Sequence, residues 1–597
     1  MKIAPASLTI NQLFGAPNEQ YFVPTYQRRY SWHERQVGEL IDDILLIEDG
    51  DTHLLGTIVC LTGHHKAGLN RLELVDGQQR LTTVAIILEC IRQRLDHENR
   101  TSEALEIAQL LTAKPLNGPP LKKVELDSLD CDQYSALINQ QNFDDARNYE
   151  LTRAFEVIRE RASAASLDEL LTFLYRLRNQ AVVIRLDVSE AKDAFRLFET
   201  INDRGLRLSP TDIIKNFLLG NAARFSEKKL EYARRSWTAV LANLDGTSAD
   251  AFFRYYLMAL LGARITASEV VFNFKSLFMK QVSEASSLPE RKFYEDEETT
   301  EVEADADGSA EKSEEKISEK LLPLVSRRVP FTHFVDQLVR YSRVYGELVL
   351  AKTNDDRINR HLHNLQMIKA NQTYGFLMHL RSGECSDKIF RQILRLTEAF
   401  ILRRHVCRER ANDTEALFAR LCTVDPKNPL DKTKQEYRDL CPNDDKFREE
   451  FSTAHFSANL IDRARYCLER MELAKHGKHE ELEIQSADEV HVEHIMPQKI
   501  RTKKSKDEFG DWITYLGKNA ETMHGKYIDR IGNLTLFAGA LNIGASNNPF
   551  ARKKQAYKAS AILLTRELVS KTNFKFTDIA TRSKKLADEA VILWPMP

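Results

Sequence analysis

The sequence predicts a multidomain α+β protein: a mixed α/β front part, a helical middle, and a strand–strand–helix unit set among helices near the end. Three observations carry that prediction. Apolar runs of strand length end in glycine turns within the first 80 residues. From about residue 221 the apolar spacing is helical almost throughout. The 597 residues are too many for one core, and about three domains suit that length.

The front part is expected over residues 1–220. Its first block is Val23-Pro24-Thr25-Tyr26-Gln27-Arg28-Arg29-Tyr30-Ser31-Trp32, dense in groups that bind phosphates and stack on bases. A helix follows, with Val37, Leu40, Ile41, Ile44 and Leu45 spaced for one buried face. Leu54–Leu61 and Arg71–Val75 read as strands. The second strand runs into Asp76-Gly77-Gln78-Gln79-Arg80, and Val84, Ile87, Leu88 and Ile91 carry a helix onward. A strand, a glycine turn and a helix start make an anion site, because free helix amides and the helix dipole face the ligand. Arg80 adds a forked donor, and Asp76 can hold a cation or a water. The chain has no Gly-x-x-x-x-Gly-Lys-Ser/Thr, so any nucleotide site here is not a P-loop. The third block is Phe195–Ser209, in which Asn202-Asp203-Arg204-Gly205 reads as a tight turn before a helix opened by Ser209 and Pro210 that includes Lys215 and Asn216. A structural reading stays open beside the functional one: Gly77 as a simple turn, Trp32 as a core anchor, and 202–205 as a capped connection.

The middle is expected over 221–425. Ala251–Leu261 reads as a buried helix, and 295–316 as an acidic, flexible insert. Arg403, Arg404, Arg408 and Arg410 sit at helical spacing, either toward phosphates or on an exposed, salt-bridged face.

The last part is expected over 426–597. A helix is expected over Phe447–Leu468, and Val591–Pro597 is apolar enough to dock on a surface, that of a partner subunit included. Between them lie His491-Val492-Glu493-His494-Ile495-Met496-Pro497, then Ile531-Gly532-Asn533-Leu534-Thr535-Leu536, then Asn542 and Asn548-Pro549-Phe550. They read as strand, turn, strand and helix. Asn548 suits the helix cap and Pro549 its first turn. Hydrolysing a phosphodiester needs a base for water, a hard cation and groups that orient both. His494 suits the base, Glu493 and Asn542 suit Mg²⁺, and Asn533 can orient the histidine. His491 and His494 can also be read as ordinary polar residues of a strand pair.

The totals set bounds. A formal charge of −2 excludes a polybasic protein, though not local basic clusters. The eight cysteines are scattered without Cys-x-x-Cys, which suggests free thiols in a reducing cytoplasm. No run approaches the ~18 apolar residues of a membrane span, and the N-terminus lacks a signal-peptide core.

The three N-terminal blocks resemble the ParB-like N-terminal domain of the GmrSD family of type IV restriction enzymes, over roughly residues 10–220. The resemblance implies a pocket that binds and hydrolyses a nucleoside triphosphate, with ATP, GTP, CTP and UTP equally open. It places Gln27, Arg28, Trp32, Asp76, Gly77, Gln78, Gln79, Arg80, Asn202, Asp203, Arg204 and Gly205 in that pocket, Asp76 among the catalytic groups.

The C-terminal pattern resembles an HNH, or ββα-metal, nuclease. That resemblance implies His494 as general base, Asn533 as the central asparagine, and Glu493 and Asn542 as ligands of Mg²⁺ or Mn²⁺. Asn547 is the alternative last ligand. The step of 39 residues from His494 to Asn533 is long for the family, whereas the nine to Asn542 fit. The long step carries Lys499, Arg501, Lys503 and Lys504, which with Lys553 offer weak DNA contacts. No cysteine follows Cys467, so no Cys-x-x-Cys zinc is expected.

Together the two resemblances imply a nucleotide-regulated, metal-dependent endonuclease on one chain. It would restrict double-stranded phage DNA bearing hydroxymethylated or glucosylated cytosine, as a homodimer. Two other readings stand beside it: a nucleotide-gated DNA clamp with an inactive nuclease domain, and an RNA-cleaving toxin.

Overall fold

The computed structural model describes residues 3–48, 50–66, 68–126, 129–141, 147–202, 209–287, 328–457, 460–477, 484, 486, 489–500, 512–539, 541 and 550–597. The acidic insert at 295–316 lies outside them, as do residues 203–208, 501–511 and 542–549. The chain forms two compact units, Met1–Arg254 with Thr266–Arg343, and Tyr255–Ile265 with Val344–Pro597.

The first unit is built on a mixed sheet. Its strands are β1 (Ile3–Thr9), β2 (Glu19–Val23), β3 (His53–Lys66), β4 (Leu69–Asp76), β7 (Val124–Leu126) and β8 (Ala181–Val188), in the order β1-β8-β3-β4-β2-β7. Two short strands, β5 (Thr112–Ala113) and β6 (Leu121–Lys122), pair separately. β3 and β4 form an antiparallel hairpin, while β2 runs parallel to β4 and β3 parallel to β8. The two predicted strands are the hairpin: Ile58, Val59, Cys60, Leu72 and Leu74 lose all contact with solvent. The helix Gln78–His97 starts at Gly77, whose φ of 87° lies in the left-handed region. A Cβ there would meet Ile58 Cγ2 at 2.4 Å, so no side chain fits. Val84, Ile87, Leu88 and Ile91 bury as their spacing predicts. In the helix Glu34–Leu45 the face holds for Val37, Leu40, Ile41 and Ile44, but Leu45, in the last turn, is 45% exposed.

The second unit is mainly helical around a two-stranded sheet of β9 (Val490–His494) and β10 (Leu534–Ala538). The single helix expected over Phe447–Leu468 is two, Asp444–Thr453 and Ile461–Lys475. Tertiary pairing breaks it: His455 bridges Arg530, and Phe456 N donates to Asp529 O at 2.8 Å. Half of the arginine cluster differs from both sequence readings, while Arg408 and Arg410 are exposed. Arg403 and Arg404 are buried, and their guanidinium groups clamp chain ends rather than face phosphates or solvent. Arg403 donates to Trp594 O at 2.7 Å, Pro442 O at 3.0 Å and Asp444 at 2.5 Å. Arg404 donates to Thr414 Oγ1, Leu440 O and Arg410 O. The apolar C-terminus docks on its own chain: Trp594 is buried, and its indole donates to Tyr466 Oη at 2.8 Å. Among the described residues no helix is long and apolar enough to cross a membrane.

Candidate functional sites

The N-terminal site forms where β2 and β4 end and the helix Gln78–His97 begins. Ligands of α/β folds commonly sit outside the carboxyl ends of such strands. The first two blocks meet there through their amides. Gln27 Nε2 donates to Leu74 O and Val75 O, both at 3.0 Å. Gln78 Nε2 donates to Arg28 O at 3.3 Å. Gln79 Nε2 donates to Arg29 O at 3.1 Å, and its Oε1 accepts from Ser31 N at 2.9 Å. The glutamines are therefore staples that fix the loop from Gln27 to Ser31 against the helix start.

Charged groups line the same place. Asp76 Oδ1 accepts from Gly77 N at 2.7 Å. Arg80 lies over Gly56, where a Cβ would come within 2.8 Å of its guanidinium, and donates to Thr57 O at 3.0 Å. Burial holds Arg80 below the usual arginine range, and Asp76 opposes that. Arg28 is half-exposed and pairs with Asp212 at 3.5 Å. Trp32 is partly buried and packs on the core of this unit. Asn202 ends the helix Ala191–Asn202, and Asp203, Arg204 and Gly205 lie outside the described residues.

Several groups of this site escape a reading of motifs. Tyr26 and Tyr30, which look like stacking rings, are buried, hydrogen-bonded to Glu73 and Thr83 respectively. Asp130 anchors the loop by accepting from Tyr30 N at 2.7 Å and from Asn148 Nδ2 at 2.9 Å. Lys215, on the helix Pro210–Phe225, is 3% exposed and donates to Gln27 Oε1, with Asp212 at 3.6 Å. Burial pushes its ammonium below the usual lysine range, and Asp212 then Asp76 oppose that.

The C-terminal site is built on the β9–β10 pair. β9 and β10 run antiparallel, with Leu534 opposite His494 and Thr535 opposite Glu493. Glu493 and His494 are neighbours at the end of β9, and the Glu493 carboxylate is near enough to act on the His494 ring. Asn533 ends the 3₁₀ turn Ile531–Asn533 and is fully buried. Its Oδ1 accepts from Met496 N at 2.8 Å, and its Nδ2 donates to Met496 O at 3.0 Å and Ile528 O at 2.8 Å. Asn533 thus pins the segments that follow His494 and precede Asp529. It acts on the backbone around the histidine, not on the ring. Gly532 has no space for a side chain, since a Cβ would lie 2.2 Å from Ile579 O.

His494 Nε2 lies 3.4 Å from Asp529 Oδ1 and 3.4 Å from Gln498 Nε2. Asp529 is 35 residues away and carries no motif signal. Its backbone is held by Phe456, so tertiary pairing sets its place. Burial lowers the pKa of His494, and the Asp529 contact opposes that. The ring is therefore largely neutral at pH 7, the form a general base needs.

Glu493 is buried and paired with Lys553 Nζ at 2.5 Å, and the same ammonium donates to His494 O at 2.9 Å. Lys553, on the helix Phe550–Tyr557, is 1% exposed, so as placed it serves Glu493 rather than a phosphate. Lys499 is exposed; Arg501, Lys503 and Lys504 lie outside the described residues. So do Asn542, Asn547 and the cap at Asn548-Pro549. Among the described residues no group of three or more His, Cys, Asp or Glu gathers as a metal centre. The donor chemistry at Glu493 still fits a hard cation, because a carboxylate oxygen is the ligand type such ions take.

Comparison with known families follows the same division. Residues 10–219 match the family model for the GmrSD restriction endonuclease N-terminal domain. Residues 441–589 match that for the GmrSD restriction endonuclease C-terminal domain. No curated protein matches the chain.

Proposed function

We propose that this chain, which belongs to the GmrSD family of type IV restriction endonucleases, is a nucleotide-regulated, metal-dependent enzyme that cuts double-stranded phage DNA carrying hydroxymethylated or glucosylated cytosine. The observation that carries the nuclease reading is His494: a partly buried imidazole backed by a carboxylate at the end of β9, its pKa lowered by burial.

With Nε2 protonated toward Asp529, the ring keeps its lone pair on Nδ1. That nitrogen takes a proton from water as the oxygen attacks phosphorus. Asp529 then stabilises the imidazolium, the role a carboxylate plays beside a catalytic histidine. Glu493 would hold Mg²⁺ or Mn²⁺, with Asn542 or Asn547 completing the ligands; the ion, when bound, supplies charge stabilisation for the leaving oxygen. Asn533 keeps the backbone on both sides of the ring in place.

In the N-terminal unit, Arg28 and Arg80 suit phosphate oxygens, and the start of the helix Gln78–His97 adds free amides. Asp76 suits the water or cation of a hydrolytic step. Turnover of a nucleoside triphosphate there would license cutting, which protects DNA that should not be cut. The active form is a homodimer.

Cleavage of modified and unmodified phage DNA with Mg²⁺, with and without each of ATP, GTP, CTP and UTP, tests the reading. The expected result is cutting of modified DNA that needs the metal and one nucleotide, and is lost in His494→Ala. Binding without cutting by the wild type would leave a nucleotide-gated clamp instead. Cutting of RNA in preference to DNA would leave a toxin nuclease.

A further inference from the structure

A buried lysine needs an explanation, because removing an ammonium from water costs several kcal/mol unless partners compensate. Lys215 is 3% exposed and sits on the helix Pro210–Phe225, which follows the third motif block. Its partners belong to different parts of the N-terminal site. It donates to Gln27 Oε1, the acceptor end of an amide whose nitrogen holds Leu74 O and Val75 O, just before Asp76. Asp212 lies 3.6 Å from it and pairs at its other oxygen with Arg28 at 3.5 Å. Asp76 and Arg28 are near enough to act on its charge. One ammonium therefore touches, directly or through one group, the loop Gln27–Arg28, the turn at Asp76 and the helix that follows residues 203–208.

Two further observations in the same unit point to a ligand. Asn216, the next residue, is 1% exposed, and among the described residues its Oδ1 accepts no hydrogen bond. Gln78 is buried, and its Oε1 accepts none either. A buried acceptor without a donor is uncommon in folded proteins. The hydroxyl groups of a ribose and the amino group of a base are donors of the required kind.

We propose that Lys215 is the positioning residue of the nucleotide site, holding Gln27 and Asp212 so that Arg28 and Asp76 face the phosphates. This rests on the nucleotide site proposed above. Lys215 acts through its neighbours and not on the reacting atoms. Arginine can keep its charge, whereas methionine keeps only its length.

The experiment measures thermal stabilisation of the full chain by each of the four nucleoside triphosphates with Mg²⁺, and steady-state kcat and KM for phosphate release. The variants are Lys215→Met, Lys215→Arg and Asp212→Asn. Wild type should be stabilised by one nucleotide. Lys215→Met should release phosphate at least tenfold more slowly, with a several-fold weaker nucleotide response, and Lys215→Arg should recover part of both. If Lys215→Met does not fold, Asp212→Asn takes its place, since it keeps the side chain's shape and removes the charge facing the ammonium; it should slow release several-fold. A folded Lys215→Met, or an Asp212→Asn, with wild-type kcat, KM and stabilisation would overturn the proposal while leaving the nucleotide site standing. Equal loss in the methionine and arginine variants would also overturn it, since charge would then not matter. Wild type that neither binds nor hydrolyses any of the four would overturn both.

Discussion

The two sites use polar residues in opposite proportions. In the N-terminal site the three glutamines of the motifs are spent on the backbone: Gln27, Gln78 and Gln79 all donate to carbonyls. In the C-terminal site a single amide, Asn533, does the corresponding work with three hydrogen bonds. The His494 ring has two long contacts instead, Asp529 Oδ1 and Gln498 Nε2, both at 3.4 Å from its Nε2. The difference teaches that a polar motif describes architecture as much as chemistry. A pocket assembled from a loop and a helix start needs staples because neither part is regular. A strand pair is already held by its ladder, so one asparagine at its entrance is enough.

The largest effect should come from the residue proposed to activate the attacking water. His494→Ala should lower DNA cleavage by about 10³-fold or more, within the usual range for losing a general base. Phosphate release from nucleotide should be unchanged. Plasmid nicking and malachite-green assays on one preparation measure both, and full cleavage by the variant would remove His494 from the chemistry.

The staples sharpen the contrast directly. Asn533→Ala strands Met496 N, Met496 O and Ile528 O in a buried place, which should cost about 3 kcal/mol by urea unfolding. Gln79→Ala loses two bonds in a half-buried place and should cost about 1–2 kcal/mol. If Gln79→Ala proved the costlier, the division of labour drawn above would be reversed.

Asp529→Asn tests how the histidine is tuned. His494 must be neutral to accept a proton, so cleavage falls as pH drops through its pKa. Burial has already moved that pKa below the usual imidazole value, and Asp529 moves it partly back. Removing the carboxylate charge should therefore shift the acid limb of the pH–rate profile to lower pH. It should also lower the plateau by about tenfold, since the imidazolium loses its counter-charge. A limb that moves to higher pH would contradict the assigned contact.

The smallest effect is expected at Arg28. Its guanidinium is 43% exposed and its pair with Asp212 spans 3.5 Å. Arg28→Ala should change stability by no more than about 1 kcal/mol. Its consequence should lie in a higher KM for nucleotide, and a stability loss of several kcal/mol would make it a staple like its neighbours.

Much of both sites was legible from the residues because the informative parts are contiguous. Asp76 to Arg80 spans a strand end, a turn and a helix start, and each has its own local signal. Glu493-His494 and Gly532-Asn533-Leu534 carry the same kind of message for a strand pair. Asp529, Asp130 and Asn148 carried none, since an acid or an amide in a helix or loop looks like any surface residue, and for Lys215 the sequence showed its helix but not its partners. Arg403 and Arg404 show the same limit from the other side. Helical spacing tells which residues share a face, and it cannot tell that Trp594 will cover that face with its carbonyl.

Local sequence determined the hairpin of β3 and β4, the glycine that lets a helix start at Gln78, and the strand on which Glu493 and His494 sit. Backbone conformation and side-chain alternation act over a few residues, so a short window contains their causes. Only the tertiary structure decided that Lys215 would meet Gln27, that Asp529 would back His494, and that Lys553 would neutralise Glu493. Those contacts join residues 188, 35 and 60 positions apart. Their cause is the need to give every buried charge a partner, which only the packed chain can meet.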